Sequence, residues 1–175
     1  DFMAWMKSGY TDQSTLTGDY VDDGWGWVNP KTGERHWLVA YANHWYWRNY
    51  MINGLVALGQ AWVLTGDRRY ADRCAALLAH IADIYPGFDY DTQSRYGTLT
   101  SSYPGKLLNH IWETGIATLL ATAYDQVWET IDTNTELLTA RGMTGEQLRG
   151  HIEANLLEEA IDSVLNGKIE GNFGM

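Results

Sequence analysis

Between Asn43 and Asn49 the chain reads Asn-His-Trp-Tyr-Trp-Arg-Asn, which puts hydrogen-bonding, aromatic and cationic side chains within one short stretch. A guanidinium is a rigid fork that matches a carboxylate, and indole rings suit the apolar faces of sugar rings. On one reading His44, Trp47 and Arg48 wall a substrate cleft, with Arg48 holding an acidic ligand. On the other, Asn43 caps a helix whose aromatics pack beneath a neighbouring loop. A second group, Asn109, His110, Trp112 and Glu113, offers an acid and a base three residues apart. On a helix these two share a face, so His110 and Glu113 either serve a ligand or pair with each other. Trp112 falls in the apolar stripe of the same segment and reads as core. Trp25, Trp27 and Tyr41 form a third group, which either stacks sugars or seals the fold.

Other residues carry weaker signals. Asp19, Asp22 and Asp23 are oxygen ligands of the kind calcium prefers, but the full calcium-loop pattern is missing, so a solvated turn or cap is the plainer reading. No metal site is assigned. No H-E-x-x-H zinc motif is present. Asp22, Asp89, Asp91 and Glu113 could supply the two carboxylates of a glycoside hydrolase, although nothing in the spacing pairs them. Cys74 is the single cysteine, so it has no internal disulfide partner, and it lies on an apolar helix face. The net charge of −10 argues against nucleic acid, which wants a basic face. No apolar run is long enough for a membrane span. Six of the 9 tryptophans lie between Trp5 and Trp47, which concentrates aromatic surface in the first quarter of the chain.

These groups need elements to hold them. Residues 1–42 are punctuated by Gly9, Gly18, Gly24, Gly26, Pro30 and Gly33 and read as an aromatic, loop-rich segment, with a turn at Asn-Pro-Lys-Thr-Gly and at most short strand near Trp37-Leu38-Val39. Residues 43–175 read as helical hairpins. Met51, Leu55, Leu58 and Trp62 mark the first helix, and Tyr70, Cys74, Leu77, Ile81 and Ile84 the second. Between them Gly66 suits a left-handed C-terminal position and Asp67 the next N-cap, so the two helices should be antiparallel neighbours. Leu108, Trp112, Ile116, Leu119, Ala123 and Val127 mark the third helix. Residues 130–143 look irregular, and Thr144 with Gln147 makes a capping box for the fourth, with Leu148, Ile152, Leu156, Ala160 and Val164 inward. The fold class expected is all-α, a partial (α/α) toroid with long aromatic-rich loops. A plain four-helix bundle fits the long inter-helix loops less well.

Three stretches carry a family resemblance. NHWYWRNYMINGLVALGQAWVLTGDRRYADRC resembles the early helical hairpin of the heparinase II/III-like polysaccharide lyases. IWETGIATLLATAYDQVWE resembles a later helix of that family, with its Ala-Tyr-Asp signature as Ala123-Tyr124-Asp125. IEGNFGM resembles the Gly-Asn-aromatic motif that opens an inner helix at the active site. The resemblance spans roughly residues 40–175. It implies that the chain is a fragment, one incomplete toroid domain over 1–175, with the rest of the toroid and a β-sandwich domain expected in the parent chain. It further implies a bacterial, extracellular or periplasmic enzyme that needs no cofactor and acts on an acidic polysaccharide.

The chemistry so implied is β-elimination at a uronic acid. The C5 proton, α to a carboxylate, leaves, and the C4–O bond then breaks. That proton is acidic only when the carboxylate is neutralised by donors, in the manner of an oxyanion hole. The resemblance gives this role to Asn172, at a helix start where free N–H groups assist. The catalytic tyrosine and its partner histidine are expected beyond Met175, and Phe173 offers no donor. The alternatives are a carbohydrate-binding or scaffold module and an (α/α) glycoside hydrolase.

Overall fold

The computed structural model describes residues 8, 11–12, 14, 21–94, 105–108 and 110–166, with His110 and Ile111 described for backbone alone. The described residues are mostly helical. Asn109 and the motif around Asn172 lie outside them, as does Asp19.

Among the described residues, the strands form one hairpin. Strands β1 (Trp27–Val28) and β2 (Arg35–His36) pair antiparallel, with Trp27 opposite His36 and Val28 opposite Arg35. The expected turn joins them: Asn29 N–H donates to Glu34 O at 2.8 Å, and Gly33 takes the positive φ of 75° that a side chain resists. Short strand therefore exists, but at 27–28 and 35–36 rather than near Trp37-Leu38-Val39, because residues 38 and 39 already belong to a helix.

That helix, α1 (Leu38–Tyr46), starts earlier than the sequence suggested. Trp37 occupies the N-cap position and supplies no side-chain bond. The cap comes from far upstream. Asp22 Oδ2 accepts the N–H groups of Leu38 and Val39 at 2.8 and 2.9 Å, and Oδ1 accepts those of Gly24 and Gly26 at 2.8 Å each. A carboxylate satisfies free amides at a helix start and sits well at the positive end of the helix dipole. A cap sixteen residues away in sequence cannot be read from local pattern. Asn43 is consequently an exposed mid-helix residue, not an N-cap.

The rod continues without a break. After Tyr46 the backbone widens into a π turn (Trp47–Ile52) and returns to α geometry as α2 (Asn53–Thr65). Gly66 ends it in the left-handed region at φ 66°, and Asp67 caps α3 (Arg68–Ile84) by accepting Arg69 N–H at 3.1 Å. A 3₁₀ turn (Tyr85–Gly87) and the short α4 (Tyr90–Gln93) follow. Helix α5 (His110–Ile131) is the longest. The stretch expected to be irregular contains a further helix, α6 (Thr135–Arg141), capped by Asn134. Its run of Glu136, Leu137 and Leu138 is too short to show a period, and its packing is what orders it. Finally α7 (Gly145–Ile152) opens on the expected Thr144–Gln147 capping box, passes through a second π turn (Glu153–Glu158) and ends as α8 (Glu159–Leu165).

Helix α3 lies at the centre and packs against α2, α5 and α7. Leu55, Cys74, Leu78, Ile81, Leu120, Val127, Ile131, Leu148, Ile152 and Leu156 are fully inside. At about 25 cal/mol per Å² of apolar surface, each fully buried aliphatic side chain contributes roughly 1.5–3 kcal/mol. Polar ties add register. Arg141 forks onto Asp83 at 3.0 and 2.6 Å, and His151 Nε2 lies 2.8 Å from the same carboxylate, so α3, α6 and α7 meet at one residue. No helix of the described residues is long and apolar enough to cross a membrane.

Candidate functional site

The π turn inserts one extra residue per turn and swings its side chains off the register of α1 and α2, a local irregularity often found at functional positions. It carries Trp47, Arg48 and Asn49. The Arg48 guanidinium lies over two indoles, 5.6 Å from the Trp45 ring centre and 5.0 Å from that of Trp112. Its Nη1 donates to Asn49 Oδ1 at 3.0 Å. No carboxylate pairs with it among the described residues. Beside it, Trp45 Nε1 is buried and finds no acceptor there. Buried donors are seldom left unmatched. Two aromatic faces fix the position of a cation without cancelling its charge, which stays available to an anion.

Trp112 corrects the sequence reading. It was placed in the core stripe, yet it is 48% exposed. The buried stripe of α5 begins one turn later, at Ile116, Leu120, Ala123 and Val127. In the first turn of α5 Glu113 faces inward and Trp112 outward, where the indole meets Arg48.

His44 and Glu113 lie deeper than a ligand contact would require. His44 is 1% exposed. Its Nδ1 stands 2.8 Å from Leu107 O and its Nε2 3.0 Å from the Gln93 carboxamide. Burial pushes its pKa below the ordinary value, against the opposing effect of these bonds. Both ring nitrogens thus face oxygen acceptors, Leu107 O and Gln93 Oε1, and the neutral ring has one N–H to donate to them. Glu113 is fully buried. Its Oε1 accepts the Tyr85 hydroxyl at 2.8 Å, and its Oε2 accepts the N–H groups of Leu107 and Leu108 at 2.8 Å each. Burial raises its pKa in spite of the three donors, and burial beside this carboxylate also raises that of Tyr85. The side chain of His110, its expected partner, lies outside what is described.

Lys106 completes this layer. It is 5% exposed, donates to Glu159 Oε1 at 2.7 Å and to Pro86 O at 3.0 Å, and lies over the Tyr85 ring. Tyr90 N–H donates to Gly105 O and Lys106 O. The segment 105–108 is thus bound on every side to α1, α4, α5 and α8, and it fixes the start of α5 and with it Trp112. Sequence reading missed Tyr85, Gln93, Lys106 and Glu159. The one available signal was a lysine set between Pro104-Gly105 and the apolar Leu107-Leu108.

Trp47 is half-buried against the rings of His80 and Phe88, at 5.9 and 5.6 Å. Trp25 is 75% exposed on the hairpin, and Trp27 rests against His36 at 5.6 Å. Tyr41 is core. Asp22 is spent on four backbone amides, and among the described residues no group of three or more His, Cys, Asp or Glu could hold a metal ion. Burial pushes the Cys74 thiol up to about 12, so it stays protonated and unreactive.

Comparison with known protein families, curated proteins and solved structures gave no match to this chain.

Proposed function

We propose that the chain is part of a polysaccharide lyase that cleaves a uronic-acid polymer by β-elimination, its helices forming part of an (α/α) toroid. The observation that carries this reading is Arg48: a guanidinium fixed between Trp45 and Trp112 without an acid partner among the described residues. Uronic-acid chains present both features it calls for, a carboxylate for the fork and ring faces for the indoles. In this scheme Arg48 binds a uronate, Trp112 and Trp25 offer stacking surface, and Asn172 neutralises the carboxylate whose α-proton leaves. Base and acid are assigned to residues outside this chain. His44 and Glu113 act from behind, by holding segment 105–108 and the start of α5. An extracellular or periplasmic setting belongs to the same proposal.

The hydrolase reading is less well served. It needs two free carboxylates; of the four candidates Asp22 and Glu113 are consumed by backbone amides and Asp89 caps Thr92 N–H, which leaves Asp91. A carbohydrate-binding module would use Arg48 and the same indoles.

The test has two arms. Calorimetric titration of the chain with oligouronates should show binding that Arg48→Ala weakens about tenfold or more and Arg48→Lys only partly restores, since an ammonium lacks the planar fork. With a parent protein that carries the complete site, cleavage should raise the ultraviolet absorbance of a C4–C5 double bond conjugated to the carboxylate, and Asn172→Ala should abolish the rise. New reducing ends without that absorbance would establish hydrolysis instead. Binding without either product would leave a binding module.

A further inference from the structure

A second groove lies at the other end of α5. It encloses about 230 Å³ and is lined by Trp62 from α2 and by Asp125, Gln126, Trp128, Glu129 and Thr130 from α5. At 1.5 Å per residue, Trp128 stands about 24 Å along the helix from Trp112, so this groove is separate from the Arg48 site.

Three features make its potential negative. Asp125 and Glu129 stand one turn apart on α5, a like-charge pair that is unfavourable on a helix. Glu129 falls in the last turn of α5, where the helix dipole is itself negative. No cation pairs with either among the described residues. Two basic groups that border the groove are already engaged: Arg68 pairs with Asp72 at 2.7 Å while donating to Thr130 O, and Arg149 pairs with Asp132 while lying 4.8 Å from the Trp128 ring centre. That last contact shows the Trp128 ring accepting a cation on its face. Trp128 is 44% exposed, so the ring is also open to solvent.

We infer that this groove binds a small organic cation, an alkylated or quaternary ammonium, between the indoles of Trp62 and Trp128 and the carboxylates of Asp125 and Glu129. Indole faces attract such cations, and the carboxylates supply charge that a neutral sugar would not use and a uronate would meet as repulsion. Indoles are not metal ligands, which argues against a bare ion. The volume lies below the roughly 300–1,000 Å³ of drug-sized sites, so the occupant is small. Bound there, it would relieve the self-repulsion of Asp125 and Glu129. The inference is independent of the lyase proposal.

Tetramethylammonium chloride is the probe, titrated into the isotopically labelled chain while the tryptophan indole N–H resonances are followed by NMR. Trp62→Phe and Trp128→Phe identify the two resonances of interest. Sodium chloride at equal ionic strength and tert-butanol, a neutral molecule of similar shape, are the controls. Those two resonances should shift saturably with tetramethylammonium and not with either control. The combined Asp125→Asn and Glu129→Gln variant, which removes no bond of the fold among the described residues, should weaken binding about tenfold. The inference is overturned if no saturable shift occurs, if tert-butanol acts as well as the cation, if the double variant binds unchanged, or if only other indoles respond.

Discussion

Glu113 shows how a single residue can look catalytic in sequence and prove to be an organiser. Its carboxylate gathers one hydroxyl and two backbone amides in a site closed to water. Glu113→Ala would leave all three donors unmatched, and each buried orphan costs about 1–3 kcal/mol. The variant should lose about 3 kcal/mol or more of stability in urea unfolding. Glu113→Gln should lose less, because its carbonyl oxygen still accepts one side of the network. A loss below about 1 kcal/mol in the alanine variant would mean that these donors find water instead. Arg48 is the opposite case. It ties no carboxylate among the described residues, so Arg48→Ala should cost only its ring contacts, about 1–2 kcal/mol of stability, while it weakens uronate binding. A binding loss with so limited a stability cost is what a ligand-directed side chain predicts.

At the scale of elements, Asp83 is the tie between α3, α6 and α7. The Arg141 guanidinium holds its carboxyl below the ordinary carboxylate range, with His151 adding to the effect. A carboxyl whose folded pKa lies below its unfolded one contributes fully above the unfolded value, and the contribution is lost as pH falls through the folded value. The side chain is over a third exposed, so water and salt screen the tie to about 0.5–1 kcal/mol. Unfolding measured across the acid range should therefore show a decline in the native chain that is shallower in Asp83→Asn. Equal slopes would assign the acid loss to other carboxylates. The two π turns are a different kind of element. Each widens a long helix in the middle, and the first carries Arg48. In it Arg48 leaves the core while Ile52 joins the buried stripe that Leu55 continues, so a polar group and a core stripe share one rod.

For the molecule as a whole, charge is the dominant global feature. A net −10 on a chain of this size makes the compact state repel itself. Salt screens such repulsion within about 10 Å at 0.1 M ionic strength. The thermal midpoint should therefore rise as sodium chloride is raised from low to near-physiological levels. A fall would show that the local ion pairs, such as Lys106 with Glu159 and Arg141 with Asp83, outweigh the general repulsion. The charge is also uneven: the Arg48 cradle is locally cationic and the Asp125–Glu129 groove locally anionic, at opposite ends of α5.

What the sequence determined by itself is whatever neighbouring residues decide together. The Thr65-Gly66-Asp67 link, the Thr144–Gln147 capping box, the Asn-Pro-Lys-Thr-Gly turn and the inward faces around Leu55, Cys74, Ile81, Ile152 and Leu156 all follow from local backbone preference and a repeating apolar stripe. Tertiary structure decided the rest, because the partners are far apart along the chain. Asp22 moved the start of α1 forward from sixteen residues away. Packing ordered α6, which is too short to announce itself. The inward turn of Glu113 at the start of α5 left Trp112 on the outer side, as one wall of the Arg48 cradle. Backbone amides brought in by segment 105–108 turned Glu113 inward. A side chain's role follows from what the fold brings against it, and the residue types alone do not carry that information.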